Sequence, residues 1–256
     1  MNDNLKEEIE RFLRDFGVFK VGFADPNKGF EHAREGCHPK DLMPNCKSVI
    51  AYAFSVGLDY YIEMDYVHTD KDLRILNMYR DWIGFELAEF LQEKGYEAKT
   101  VPRKHKDPQN KIAALSFKLA AYEAGIGVYG RPSFIVTPEF GPRVNLGAVL
   151  TDASTKSDEP LKNFNPCAHC SVCVEVCPLG AIDGEKLPPT GFNRGLCVRF
   201  IDWLRETTKD RIMLCGLCYN NCPLGKKVAK TMRITRWKTL DDLKKEERKQ
   251  LTEKFS

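Results

Sequence analysis

The chain has 256 residues, 43% of them hydrophobic, with negative mean hydropathy and a net charge of +3. That is enough apolar material for one large or two modest domains. It excludes a membrane-spanning helix, because no apolar run approaches the roughly 20 residues such a helix needs, and it gives no global charge argument for nucleic acid. The start, MNDNLKEEIERFLRDFG, is charged and amphipathic, without the apolar centre of a secretory signal, so a cytoplasmic protein is expected.

Residues 5–16 carry apolar side chains at helical spacing (Leu5, Ile9, Phe12, Leu13, Phe16), and Gly17 stops the helix. Residues 18–24 read as a short strand, and 48–54 (SVIAYAF), β-branched and aromatic, as a better one. A long amphipathic helix is predicted over 72–94, ending at Gly95, followed by a strand at 97–101. A second helix over 111–124 is closed by Gly125. Residues 133–137 and 144–151 look like strands joined by a Pro/Gly-rich turn at 138–142. Helix and strand interleave, so 1–155 reads as one α/β domain. The polar stretch TDASTKSDEPLKNFNP (151–166) marks its boundary, and a cysteine-organised domain follows over 156–228. The tail, 229–256, is basic and reads as a solvated helix; a dock for an acidic partner or RNA is the alternative. Residues 226–256 hold eleven Lys/Arg against five Asp/Glu, leaving the rest of the chain at −3.

Eight of the ten cysteines lie within 167–222, at ligand spacing. The first group is Cys167-x2-Cys170-x2-Cys173-x3-Cys177-Pro178, the second Cys215-x2-Cys218-x3-Cys222-Pro223, and Cys197 stands between them. The 2-2-3 rhythm closed by proline is the bacterial two-cluster ferredoxin run, in which the displaced fourth cysteine ligates the other cluster. Applied here, one 4Fe-4S cluster takes Cys167, Cys170, Cys173 and Cys222, and the other takes Cys177, Cys197, Cys215 and Cys218. Zinc would pair two C-x2-C couplets at longer spacing and would not need the prolines. Cys37 and Cys46 fall outside the pattern and read as ordinary buried or semi-exposed thiols.

A two-cluster module needs only about 60 residues, so the preceding mass has a purpose of its own. The densest signal is 117–151, FKLAAYEAGIGVYGRPSFIVTPEFGPRVNLGAVLT, with Gly125, Gly127, Gly130, Gly141 and Gly147. Such density lets backbone approach a large planar or anionic ligand, or else makes tight turns between strands. It is no dinucleotide fingerprint, since it follows a helix and lacks G-x-G-x-x-G. Arg131 and Arg143 could meet phosphate or amide groups of a cofactor. Tyr122, Phe134 and Phe140 could stack on a macrocycle or flavin, although aromatics at such spacing are more often core. His105, Asp107, Tyr129 and Tyr60 are candidate proton donors.

The stretch AAYEAGIGVYGRPSFIVTPEFGPRVNLGAVLTD, then C-x2-C-x2-C-x3-CP, a lone cysteine and C-G-x-C-x3-CP, resembles the epoxyqueuosine reductase family, a relative of the reductive dehalogenases. LMPNCKSVIAYAFSVGLDYY (42–61) is similar to the family's early strand region. The resemblance implies a nitroreductase-like α/β core of the cobalamin-binding type, followed by the ferredoxin-like double-cluster domain. It implies a base-off cobalamin between the two, with FMN as the lesser alternative. Electrons would come from an external ferredoxin or flavodoxin, for reduction of a small-molecule substrate or of a corrinoid. Residues 127–133 and 141–147 would line the corrinoid pocket, through Gly127, Gly130, Arg131, Ser133, Gly141, Arg143 and Gly147. Two departures stand out. The family's Gly-Trp-x-Gly-Lys is Gly127-Val128-Tyr129-Gly130-Arg131 here, and its catalytic aspartate falls near Lys111, where the nearest acid is Asp107. The family's tRNA-modifying members also continue into helical repeats, whereas this chain ends about 30 residues after Cys222. A short member with another substrate is therefore expected, and tRNA is not. An electron-transfer or reductive-activation protein without a catalytic cofactor is the alternative reading.

Overall fold

A computed structural model describes residues 3–31, 33–55, 68–101, 105–107, 112–186, 190–208 and 215–225. The chain forms two compact units. The first comprises Met1–Ser55, Leu76–Val128 and Val144–Phe164; the second comprises Val56–Ile75, Tyr129–Arg143 and Asn165–Ser256. The segment Tyr129–Arg143, read from sequence as part of the first domain, groups with the cysteine-rich half.

In the first unit, helix α1 (Asp3–Arg14) turns Leu5, Ile9 and Leu13 inward, one per turn. Strands β1 (Val18–Ala24), β2 (Ser48–Ser55), β3 (Ala98–Thr100) and β8 (Val144–Thr151) make one sheet in the order β1-β2-β8-β3. Every pairing in it is antiparallel, so the interleaved pattern does not produce a parallel sheet. The reason lies in β2. Its residues Ile50, Tyr52 and Phe54 pack with α1 and with α3 (His68–Glu93), through Ile83, Leu87 and Leu91. Val49, Ala51 and Ala53 on the alternate positions are equally buried, and α4 (Phe117–Glu123) contacts β1, β2 and β8. A strand buried on both faces reads as a continuous apolar run whatever its direction.

The helix expected from 111 begins later. Ile112–Ala113 forms β5, paired antiparallel with β4 (His105–Asp107). Helix α4 starts after Ser116, whose hydroxyl accepts the Leu119 N–H at 3.2 Å. The polar 151–166 stretch is anchored to the sheet. The Asp158 N–H donates to the Phe23 carbonyl at 2.7 Å, and its carboxylate accepts the Phe23 N–H at 2.9 Å and pairs with Lys6 at 2.8 Å. Cys37 and Cys46 are buried, as expected.

In the second unit a short hairpin, β6 (Val128–Tyr129) with β7 (Ile135–Val136), precedes α5 (Val172–Glu175), α6 (Arg194–Thr208) and α7 (Leu217–Asn220). Its small core is Leu179, Phe200, Ile201, Leu204 and Leu217, with Cys197 and Cys215 packed against it. No helix among the described residues is long and apolar enough to cross a membrane. The expected basic tail, 229–256, lies outside the described residues.

Candidate metal centre

All eight clustered cysteines are in the second unit, on short elements that hold them by local geometry. Cys173 lies inside the single turn of α5, and Cys177 follows it, its sulfur accepting the Ala181 N–H at 3.3 Å. Cys197 rides on α6. Gly216, with φ of 75°, opens α7, which carries Cys218, and Cys222 follows its end. None of the eight is in a disulfide.

Burial and mutual repulsion sort the thiols into two sets. Burial first, then the charges of Cys167, Cys170 and Cys222, push Cys173 up to about 11. Cys222 is raised by burial and by Cys167 and Cys170, against the Arg143 guanidinium and the Leu224 N–H. In the second set, burial pushes Cys215 up to about 12, with Cys197 and Cys177 adding to it. Cys218 is driven up by burial, then by Cys215, Cys197 and Cys177, with Cys173 a lesser neighbour. Cys197 is raised by burial and by Cys177. Cys167, Cys170, Cys173 and Cys222 also line one apolar cavity, bordered by Pro166 and Pro223, and Cys218 of the second set reaches the same cavity. Among the described residues no three His, Cys, Asp or Glu are placed to hold a single metal ion. Thiols gathered around a space larger than one ion suit a polynuclear cluster better than tetrahedral zinc. Raised thiol pKa values mean that metal loading must expel protons.

Two buried arginines brace this cavity's walls. Arg131 is 8% exposed and Arg143 4%. Arg131 donates through Nε to the Cys170 carbonyl at 3.0 Å, through Nη2 to that of Cys167 at 3.0 Å, and through Nη1 to those of Gly184 and Lys186 at 2.7 and 3.2 Å. Arg143 donates through Nη1 to the Leu224 carbonyl at 2.6 Å, and through Nη2 to those of Cys222 and Asn220 at 2.9 and 3.1 Å. Apart from the Arg143 Nε–H, the donors that are bonded go to backbone carbonyls of this unit, those of the cysteine loops among them. Two arginines in an otherwise apolar Gly/Pro-rich stretch were the available sequence signal.

The glycines expected to line a corrinoid pocket serve packing where the structure describes their surroundings. A Cβ on Gly147 would stand 2.2 Å from the ring of Tyr52, its partner across β2 and β8. At Gly141, with φ of +59°, a Cβ would meet the Leu224 carbonyl at 2.5 Å; at Gly130 it would meet Val136 at 2.8 Å, inside the hairpin. Ser133 adopts φ of 59° in that hairpin's turn. Gly127 is buried just before β6. Tyr129 and Tyr122 are half-buried, and Phe134 packs edge-on against Tyr219 at 5.5 Å. Phe140 donates its N–H to the Thr137 hydroxyl at 3.1 Å. His105 and Asp107 sit on β4, their side chains outside the described set; Tyr60 and Lys111 are outside the described residues altogether.

No protein-family model matches the chain. The chain is homologous to epoxyqueuosine reductases over most of its length. It is 28% identical to that of Bacillus subtilis (strain 168), over 87% of this chain and 64% of that protein. It thus spans just under two thirds of the length of that relative. A solved epoxyqueuosine reductase in complex with an epoxyqueuosine-modified tRNA-Tyr stem loop is 25% identical, with a TM-score of 0.58, over 87% of this chain and 66% of that one. A reductive dehalogenase whose structure suggests a mechanism for B12-dependent dehalogenation is 18% identical, with a TM-score of 0.63, over 97% of this chain and 35% of that one, and shows a shared fold.

Proposed function

We propose, from its homology to the epoxyqueuosine reductases, that this chain is an iron-sulfur oxidoreductase fed by an external one-electron donor. The observation that carries the reading is the gathering of eight buried or half-buried thiols in one unit, five of them around a single apolar cavity. On this reading, Cys167, Cys170, Cys173 and Cys222 would hold one 4Fe-4S cluster and Cys177, Cys197, Cys215 and Cys218 the other. When bound, such clusters supply low-potential one-electron transfer. The chain's own residues do the rest. The thiols give up their protons on loading. Pro166, Pro223 and Leu224 keep water from the first set, and Arg131 and Arg143 hold its loops in place.

Cobalamin is the acceptor suggested by the resemblance and, as a fold-level analogy, by the B12-dependent dehalogenase. Gly130, Gly141 and Gly147 offer it no cradle, because neighbouring protein atoms fill the space beside each. A modified nucleoside in tRNA is the first substrate to try, given the relative's stem-loop complex. The test is the visible spectrum of anaerobically purified protein titrated with cobalamin. A shifted corrinoid spectrum supports the reading. No shift, with FMN released on denaturation, transfers it to a flavin; neither chromophore leaves an electron-transfer protein.

A further inference from the structure

We propose that Arg131 and Arg143 are a buried cationic pair serving one cysteine set alone, positioning its loops and making it the preferred seat of the electron. The inference rests on the two-cluster reading above. Three of that set's four members, Cys167, Cys170 and Cys222, have their own backbone carbonyls bonded to one of these guanidinium groups, at 3.0, 3.0 and 2.9 Å. The fourth member, Cys173, lines the same cavity.

Both guanidinium groups are more than nine-tenths buried, and among the described residues neither has a carboxylate partner. Carbonyl dipoles satisfy their donors, but they leave the two positive charges uncancelled in a medium where charge is poorly screened. Arg143 has one donor left over: its Nε–H is buried without a partner among the described residues. A buried N–H left unpaired is costly. Reduction adds one negative charge to a four-thiolate site. Net charge and hydrogen bonding to sulfur are what set such potentials, so fixed positive charge beside one set raises its potential above the other's. With both clusters bound, one electron would then settle on the Cys167, Cys170, Cys173 and Cys222 site in preference to the Cys177, Cys197, Cys215 and Cys218 site, with no bond made or broken. The electron enters from an external low-potential reductant, dithionite in the test.

The arginine separates charge from shape when exchanged for glutamine or lysine. The experiment is an EPR-monitored redox titration, with iron analysis, of the unaltered protein and of Arg131→Gln, Arg143→Gln and Arg143→Lys. Two reduction steps are expected in the unaltered protein. The higher step should move to lower potential in each glutamine variant, the lower step should stay, and Arg143→Lys should recover most of the shift. If a glutamine variant sheds half its iron while the lysine variant keeps it, the positioning role is supported as well. Full iron with both steps unmoved in the glutamine variants overturns the inference and leaves the two clusters standing. Equal iron loss in Arg143→Gln and Arg143→Lys reduces the role to packing and also overturns it. Iron far from about eight per chain in the unaltered protein removes the two-cluster reading itself.

Discussion

Tyr52 and Gly147 show how closely the first unit's sheet is packed. The tyrosine ring lies over the glycine across the β2–β8 pair, its hydroxyl donating to the Arg80 carbonyl at 2.6 Å. A methyl group at 147 would overlap that ring. Gly147→Ala should therefore cost about 1–3 kcal/mol, the range for overpacking a filled core, read as a lower urea midpoint at unchanged slope. A change under about 0.5 kcal/mol, the size of an ordinary surface effect, would show the ring to be free to move aside. Cys46 carries a second residue-scale expectation. Burial pushes its thiol from 9.0 up to about 11. A pKa raised by folding gives stability that is complete below the unfolded value and is lost as pH rises through the folded one. Between pH 9 and 11 the unaltered protein should lose more stability than Cys46→Ala, as measured by urea unfolding across that window. Parallel losses would show that the thiol ionises without penalty.

Helix α4 begins where a single hydroxyl caps it. Ser116→Ala should lower stability by about 1 kcal/mol, and Ser116→Asn should restore most of it; no loss in thermal or urea unfolding of the alanine variant would deny the cap its role. The same helix marks where local pattern stops being informative. Residues 18–24 and 144–151 form strands as their runs of apolar and β-branched residues require, because burial on the sheet writes itself into residue type. Nothing between 111 and 116 breaks a helix, so the start of α4 is invisible locally. It is set by the pairing of Ile112–Ala113 with β4 and by the Ser116 cap, and the pairing is a tertiary fact. The site divides the same way. Cysteine spacing marks the proposed metal ligands because thiolates have few competing reasons to recur at two and three residues. The partners of Arg131 and Arg143 are backbone carbonyls, which every residue carries and which leave no trace in sequence.

Across the whole molecule, the chemistry is concentrated in one unit and rests on cysteines far apart in the chain. Cys222 is placed with Cys167 and Cys170, which lie more than 40 residues before it, and its loop is tied down by Arg143. Cys222→Ala should therefore damage the set containing Cys173 and spare the one containing Cys215 and Cys218. Combining it with Cys197→Ala should remove both reduced-state EPR signals, whereas either single variant removes a different one. If the two single variants abolished the same signal, the crossed arrangement would be wrong. The most direct test of the central claim is the iron and acid-labile sulfide content of the anaerobically purified chain. Two four-thiolate clusters require about eight iron and eight sulfide per chain. About four of each, or one or two zinc ions with no labile sulfide, would contradict the account.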